Sequence, residues 1–220
     1  MWYNVCVEIK RYIFQFRVYD TVHTKKEEDI FMSMTEPIRN KNQVKELAGY
    51  WLKRGQLRNY ALIVLGVCTA LRIGDLLRLE WENVYDENCG DFRTHITITE
   101  KKTGKQKTIA LHKQAVNALR LLYQQKRGAY IFVSNRRDER AISRVQAWRI
   151  IRAAADAISL AGRIACHSLR KTFGYIAWKS GVHPSLIMDI FNHSSYEITR
   201  RYLGITQEDM DKVYLNMAVF

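Results

Sequence analysis

The sequence predicts a mainly α-helical domain carrying one small antiparallel β-sheet, an α+β protein. From residue 42 onward apolar side chains recur at helical spacing, which marks one buried face per helix. That period is interrupted at residues 94–111 by two Thr- and Ile-rich stretches joined by a Gly-containing turn. The last third breaks into short helices whose starts are marked by capping residues and a proline.

Residues 1–33 read differently from the rest. Val5, Val7 and Ile9, then Phe14, Phe16 and Val18, alternate in a weak strand-like pattern, and the polar "HTKKEEDIF" follows as linker. A dispensable N-terminal extension and linker over residues 1–38 is therefore expected ahead of a domain over 39–220. Val44, Leu47, Ala48, Trp51 and Leu52 form one face of the first helix. A second helix over 57–71 is apolar nearly all round and is expected to be buried, with a short third over 73–79. "THITIT" (94–99) and "QKTIAL" (106–111) make a hairpin through "EKKTGK". Ala115, Ala118, Leu119, Leu122 and Tyr123 mark another helix, "YIFVS" (130–134) a short strand, and Ala147, Ile150, Ile151, Ala154 and Ile158 a long helix. Four short helices close the chain, over 167–180, 184–192 with Pro184 in its first turn, 195–203 and 206–217. Ser194-x-x-Glu197 and Thr206-x-x-Asp209 have capping-box spacing and mark the last two starts.

The 220 residues suffice for one ordinary domain, and 47% apolar content suffices for a core. The longest nearly unbroken apolar run, Tyr60 to Leu71, is too short for a bilayer that needs about 20 residues, so no membrane association is expected. Glu8, Lys10 and Arg11 interrupt the apolar N-terminus and no small-residue cleavage site follows, which reads as a cytoplasmic protein. Cys6, Cys68, Cys89 and Cys166 are scattered without CxxC or Cys/His metal spacing; reduced thiols, no metal and no cofactor are expected. A net charge of +13 favours an anionic partner such as nucleic acid. The charge is uneven, with ten Lys or Arg between Arg136 and Lys179 against three acids.

Four segments offer chemistry. In "CHSLRKTFGYIAW", His167 and Arg170 share a helix face while Leu169, Phe173, Ile176 and Ala177 take the apolar one, so the two polar groups are either a surface pair or aimed at one target. In "TALRIGDLLRLEW", Arg72 sits at the junction of two apolar helices, where a permanent charge needs a partner: Asp75, three residues on, or a bound phosphate. Lys101, Lys102 and Lys105 of the hairpin turn are solvated, or one of them swings in as a proton donor. In "FNHSSYEITRRYLGI", Tyr202 lies near the end of a helix beside Arg200 and Arg201, with His193 just before its start. A phenol, with a pKa of about 10, needs cationic neighbours and an activated electrophile before it attacks anything.

In order, "TALRIGDLLRL", "KKTGKQKTIAL", "HSLRKTF" and "FNHSSYEITRRYL" resemble the four signature segments of the tyrosine recombinase (phage integrase) family. The resemblance covers residues 60 to 205, essentially a whole catalytic domain, and implies the fold of that domain. It also implies that Arg72 and Arg170 clamp a DNA phosphate, that Lys102 protonates the leaving oxygen and that His167 accepts the tyrosine proton or orients the phosphate. His193 would hydrogen-bond the phosphate and Tyr202 would be the nucleophile. The implied activity is metal-independent DNA cleavage and rejoining through a 3′-phosphotyrosyl link, as in DNA integration by a mobile element, on double-stranded DNA and within a homo-oligomer, with accessory proteins left open. "ISRVQAWRIIRAA" resembles the family's DNA-facing helix, with Arg144, Arg149 and Arg152 turned outward; Lys101, Lys105 and Arg201 are further candidate DNA contacts. Met210, Val213, Tyr214 and Met217 form a stripe that packs on its own domain or on a neighbouring subunit.

There are two departures from the family pattern. About 40 residues precede the first catalytic-domain helix, too few for the N-terminal DNA-binding domain that full-length members carry, and that domain is expected to be missing. Asn192 stands where members more often have glycine, and Asn tolerates positive φ better than most residues. A regulatory relic that binds DNA without exchanging strands, and a type IB topoisomerase, are the alternative readings.

Overall fold

The computed structural model describes residues 35–135 and 139–217. The strand-like pattern read in residues 1–33 lies outside them. Helix α1 (Lys41–Leu52) starts where the Asn40 side chain accepts the Asn42 N–H at 2.8 Å, and it buries Leu47 and Ala48. Helix α2 (Leu57–Thr69) is the buried helix of the sequence reading, with Ala61, Leu62, Ile63 and Leu65 fully covered. It stops two residues early because Ala70 adopts a left-handed conformation (φ 55°, ψ 21°) and Thr69 Oγ1 turns back to the Leu65 carbonyl at 2.7 Å. This turn releases Arg72 as the residue before helix α3 (Ile73–Leu76), which is shorter than the expected 73–79.

A short helix α4 (Trp81–Val84) and a hairpin of β1 (Tyr85–Asp86) and β2 (Asp91–Phe92) follow. Two-residue strands are below any readable periodicity, and the sequence reading did not contain them. The larger hairpin is where the Thr and Ile alternation put it: β3 (His95–Thr99) pairs antiparallel with β4 (Gln106–Ala110), Thr97 opposite Thr108. Helix α5 (Lys113–Tyr123) packs Ala115, Ala118, Leu119 and Leu122 against α2 and the β3 face.

Residues 130–134 are not a strand. Ile131, Phe132 and Val133 are buried, but their pairing is split between two neighbours: Ile131 N–H donates to Leu79 O at 3.0 Å, while Phe132 O accepts from Ile142 N–H at 2.8 Å. Among the described residues, the single bridges Glu80–Tyr130 and Val133–Ala141 result. An apolar run can thus be a buried staple between loops instead of a ladder.

Helix α6 (Arg144–Ala157) is capped by Ser143, and α7 (Cys166–Lys179) begins at Ala165, whose N–H donates to Ser168 Oγ at 3.0 Å. Pro184 opens α8 (Pro184–Phe191) as expected. The cap of α9 (Tyr196–Leu203) is Ser195 and not Ser194: Ser195 has the extended backbone a cap requires (φ −150°, ψ 155°), and its Oγ accepts the Ile198 N–H. Helix α10 (Gln207–Asn216) starts at the anticipated Thr206–Asp209 box. It is tied to α7 through Lys179 and Asp209 at 2.6 Å; of the stripe Met210 is partly covered, with Arg200 at its sulfur, while Val213, Tyr214 and Met217 are 63%, 79% and 67% exposed and do not pack on their own domain.

Among the described residues, three apolar clusters result. One joins α2, α5 and the β3 face, and a second joins α1, α6 and α7. The third, Ala70, Ile187, Phe191 and Leu203 with Phe173 and Tyr202 against them, lies beneath the C-terminal ends of α2, α8 and α9. Among the described residues no helix is long and apolar enough to cross a membrane.

Candidate active site

The third cluster brings the polar segments together. Arg170, on α7, is 1% exposed. A guanidinium so deeply buried needs acceptors, and two helix ends supply them: it donates to Ala70 O after α2 and to Phe191 O at the end of α8, the latter at 2.6 Å. Its guanidinium carbon lies 4.5 Å from the centre of the Phe191 ring. Burial first, and then the nearby Arg72 charge, lower its pKa to about 10.

Arg72 is not partnered by Asp75. Asp75 instead accepts from Arg78 at 2.7 Å and from the Lys101 N–H at 3.0 Å, fastening α3 to the hairpin turn. Arg72 Nη1 lies 2.8 Å from Oε2 of Glu100, a buried residue at the end of β3 that the sequence reading passed over. The contact is an ion pair without hydrogen-bond alignment. Arg72 Nη1 and Arg170 Nε are both buried with no hydrogen-bond acceptor among the described residues. The Glu100 carboxylate offsets only one of the two neighbouring guanidinium charges, so the pair keeps net positive charge for a further anion.

His167 precedes Arg170 by one turn, and its Nε2 is 2.6 Å from Tyr202 Oη. Burial first, then the charges of Arg170, Lys171, Arg72 and Lys102, bring the imidazole pKa down to about 3. It is therefore neutral near pH 7, and Nε2 can accept the phenol proton. His193 follows Asn192, which takes the left-handed turn that ends α8 (φ 50°, ψ 48°), so the Asn-for-Gly departure is compatible with the backbone there. The His193 ring packs 4.4 Å from that of Tyr202, and Nδ1 shares a 3.0 Å hydrogen bond with Thr199 Oγ1. Its pKa is also about 3, mainly from burial and then from Arg170 and Arg72.

These two histidines make a stability prediction. An unfolded imidazole takes up its proton near 6.5, whereas these two do so only near 3, so protons favour the unfolded chain across that window. Stability is expected to fall as pH drops from 6.5 towards 3. Glu100 acts in the same sense lower down: burial would raise its pKa, but hydrogen bonds from Asn192 and Thr103 and the Arg72 charge hold it at about 2 against an ordinary 4.5. Thermal melts at successive pH values should show a flatter acid limb for His193→Gln than for wild type. Parallel limbs would mean that His193 is not held neutral.

Lys102 lies on the turn between β3 and β4, close enough for its charge to act on His167. Two lysines that the sequence reading missed also line the region. Lys107 Nζ donates to Ile190 O, and burial followed by the Arg170 charge brings its pKa to about 8. The signal was present, since Lys107 shares the inward face of β4 with Ile109. Lys171 donates to Thr35 O at 2.6 Å and lies 5.4 Å from the Tyr202 ring centre.

Of the candidate DNA contacts, Arg144 is exposed at the start of α6 and reaches Gly74, where an added Cβ would lie 3.0 Å from its Nη2. Arg149 and Arg201 are exposed, and Arg201 faces Glu197 at 3.6 Å. Arg152 is half-buried and turned to Asp156 and to Ile164 O. Lys101 and Lys105 are exposed on the turn.

The family model described as "Phage integrase family" matches residues 39–209. A probable integrase/recombinase, YoeC of Bacillus subtilis (strain 168), is 35% identical over 184 residues, 83% of this chain and 97% of that one. The crystal structure of XerA recombinase superposes with a TM-score of 0.68 at 21% identity, over 84% of this chain and 65% of that one. A lambda integrase dimer bound to a COC′ core site gives 0.61 at 18% identity, over 77% of this chain and 48% of that one. At these identities the two structures speak for the fold, that of a tyrosine recombinase catalytic domain, and the chain spans about half to two thirds of their length. With most of its length matched by the family model and a relative covered almost end to end, the chain belongs to the phage integrase family of tyrosine recombinases.

Proposed function

We propose that this chain is a site-specific DNA recombinase that cuts and rejoins strands with Tyr202 as its nucleophile. The observation that carries the reading is the 2.6 Å contact between Tyr202 Oη and His167 Nε2, beside the buried guanidinium of Arg170. The phenol gives its proton to the neutral imidazole as Oη attacks phosphorus. Arg72 and Arg170 donate to the non-bridging oxygens and offset the charge of the pentacoordinate transition state, and His193 adds a hydrogen bond. The bond from phosphorus to O5′ breaks, and the leaving oxygen takes a proton from Lys102. A 3′-phosphotyrosyl link keeps the phosphodiester's energy, so the 5′-hydroxyl of a second strand reverses the step on a new partner.

Double-stranded DNA is the partner this reading requires, met by the +13 chain through Lys101, Lys105, Arg144, Arg149, Arg152 and Arg201. Exchange between two duplexes requires several copies on DNA; the lambda integrase neighbour is itself a DNA-bound dimer. The catalytic unit is residues 35–220 and not 39–220, because Ile38 lies in its core and Thr35 O accepts from Lys171; residues 1–34 are an extension dispensable for cleavage, and the cytoplasm is the place of action.

The test uses nicked suicide duplexes made from the inverted repeats that flank the protein's own gene. Wild type is expected to become covalently attached to the DNA, and Tyr202→Phe to remain free on a denaturing gel. Absence of a wild-type adduct on every such repeat would sink the proposal.

A further inference from the structure

We propose that Asn192, acting with Glu100 and Thr103, is a positioning residue that holds the Lys102 turn closed over the site before DNA arrives. The inference rests on the recombinase reading and adds to it residues outside the six that carry the reaction.

The turn from Glu100 to Lys105 has little reason of its own to stay still. Residues 101–106 are exposed, three of them are lysines, and Gly104 has φ +67°. Such a turn has no apolar anchor and repels itself. What fastens it is polar and lies at its base. Glu100 is 1% exposed, and its Oε2 accepts from Thr103 Oγ1 at 2.8 Å and from Asn192 Nδ2 at 3.1 Å, besides facing Arg72. The Asn192 amide also donates to Thr103 Oγ1 at 3.3 Å, and its Oδ1 accepts from Lys105 Nζ at 3.4 Å. Lys107, further along β4, donates to Ile190 O.

The end of β3, the turn, the Arg72 junction and the end of α8 thus meet at one buried carboxylate. Lys107 ties β4 to α8, and Asn192 ties the turn itself to the end of α8. Glycine could make the same left-handed turn before His193, but it would leave Glu100 and Thr103 without this donor and Lys105 without this acceptor. The side chain at this position is spent on the hairpin, not on the turn.

Leaving-group chemistry separates this role from simple neutralisation of Arg72. With the natural substrate, the electron pair of the breaking P–O5′ bond departs on an oxygen that needs the Lys102 proton. With sulfur in place of O5′ it departs as a thiolate, which needs none. In the full chain, Asn192→Gly and Thr103→Val are expected to slow adduct formation on the oxygen duplex by about tenfold, a part of the roughly 10²–10⁴ that general acid catalysis supplies. On the sulfur duplex both should react at close to the wild-type rate, as should Lys102→Ala, whereas Arg72→Ala should be slow on both. Equal slowing of Asn192→Gly on the two duplexes, or on neither, would overturn the proposal.

Hydrogen exchange in the DNA-free protein is the second readout. The amides of Gly104 and Glu100, bonded to Glu100 O and Lys105 O at 2.9 and 3.0 Å, should exchange faster in Asn192→Gly. Unchanged protection overturns the proposal whatever the kinetics show. A wild type that forms no adduct on either duplex counts against the recombinase reading, while exchange still decides whether Asn192 closes the turn.

Discussion

Replacing Arg170 with alanine is expected to lower the single-turnover rate of adduct formation by at least about 10³-fold, because one donor to a developing oxyanion is worth roughly 10²–10³ and this one also carries a full charge. The effect has a structural component of known sign. Arg170 bonds the carbonyls of Ala70 and Phe191, and alanine would leave both without that donor beneath the site. Each buried acceptor so stranded costs about 1–3 kcal/mol, so the melting temperature should fall as well. Arg170→Lys separates the two contributions. It keeps the charge, but a single ammonium cannot reach two carbonyls and a phosphate with the fixed fork of a guanidinium. It should therefore melt closer to wild type while its rate stays far below. Alanine-variant rates within tenfold of wild type at saturating DNA would remove Arg170 from the reaction.

How much of this was legible in the sequence depends on whether the determinant was local. Arg72, His167, Arg170, His193 and Tyr202 each follow or sit on an element with strong periodic spacing, so the elements could be read locally, while the grouping of these residues into one site came from the resemblance of four ordered segments to the family. Glu100 could not. In sequence it is an acid in a lysine-rich turn and reads as solvated; it is buried because β3, α3 and the end of α8 converge on it. For the same reason Asp75, three residues from Arg72, was the natural partner on spacing alone, yet the turn after α2 sends the guanidinium towards β3 and leaves Asp75 to Arg78 and Lys101. Ser194 and Ser195 are chemically equal as caps, and the choice falls to backbone conformation at the end of α8, which composition does not encode. Residues 130–134 failed for a related reason, since strand propensity is realised only where a neighbour offers a continuous ladder.

Gly174→Val is expected to damage the site from behind, without touching any group that meets DNA. Gly174 is one turn beyond Arg170 on α7, and a Cβ there would sit 2.7 Å from Phe191 Cζ and 3.2 Å from Leu203 Cδ2. Both neighbours are fully buried, so neither can swing away. Valine adds two methyl groups to that conflict, and overpacking of this kind costs about 1–3 kcal/mol, more than the few tenths that helix propensity returns when glycine is replaced by valine. The strain falls on the residues proposed to carry the reaction because Phe191 also packs 5.5 Å from the Tyr202 ring and 5.1 Å from the His193 ring, and its carbonyl holds Arg170. A shift of about 1 Å in α8 or α9 is enough to cost roughly 10²-fold in rate, since the proposed attack depends on alignment of Tyr202 with His167 and the phosphate. The rate should thus fall further than the loss of stability alone would suggest. Gly174→Ala combined with Phe191→Leu tests the cause: the smaller side chain makes room for the added methyl, so the double variant should be more stable than the sum of the single losses by about 1 kcal/mol. Strict additivity would show that residues 174 and 191 do not compete for the same space.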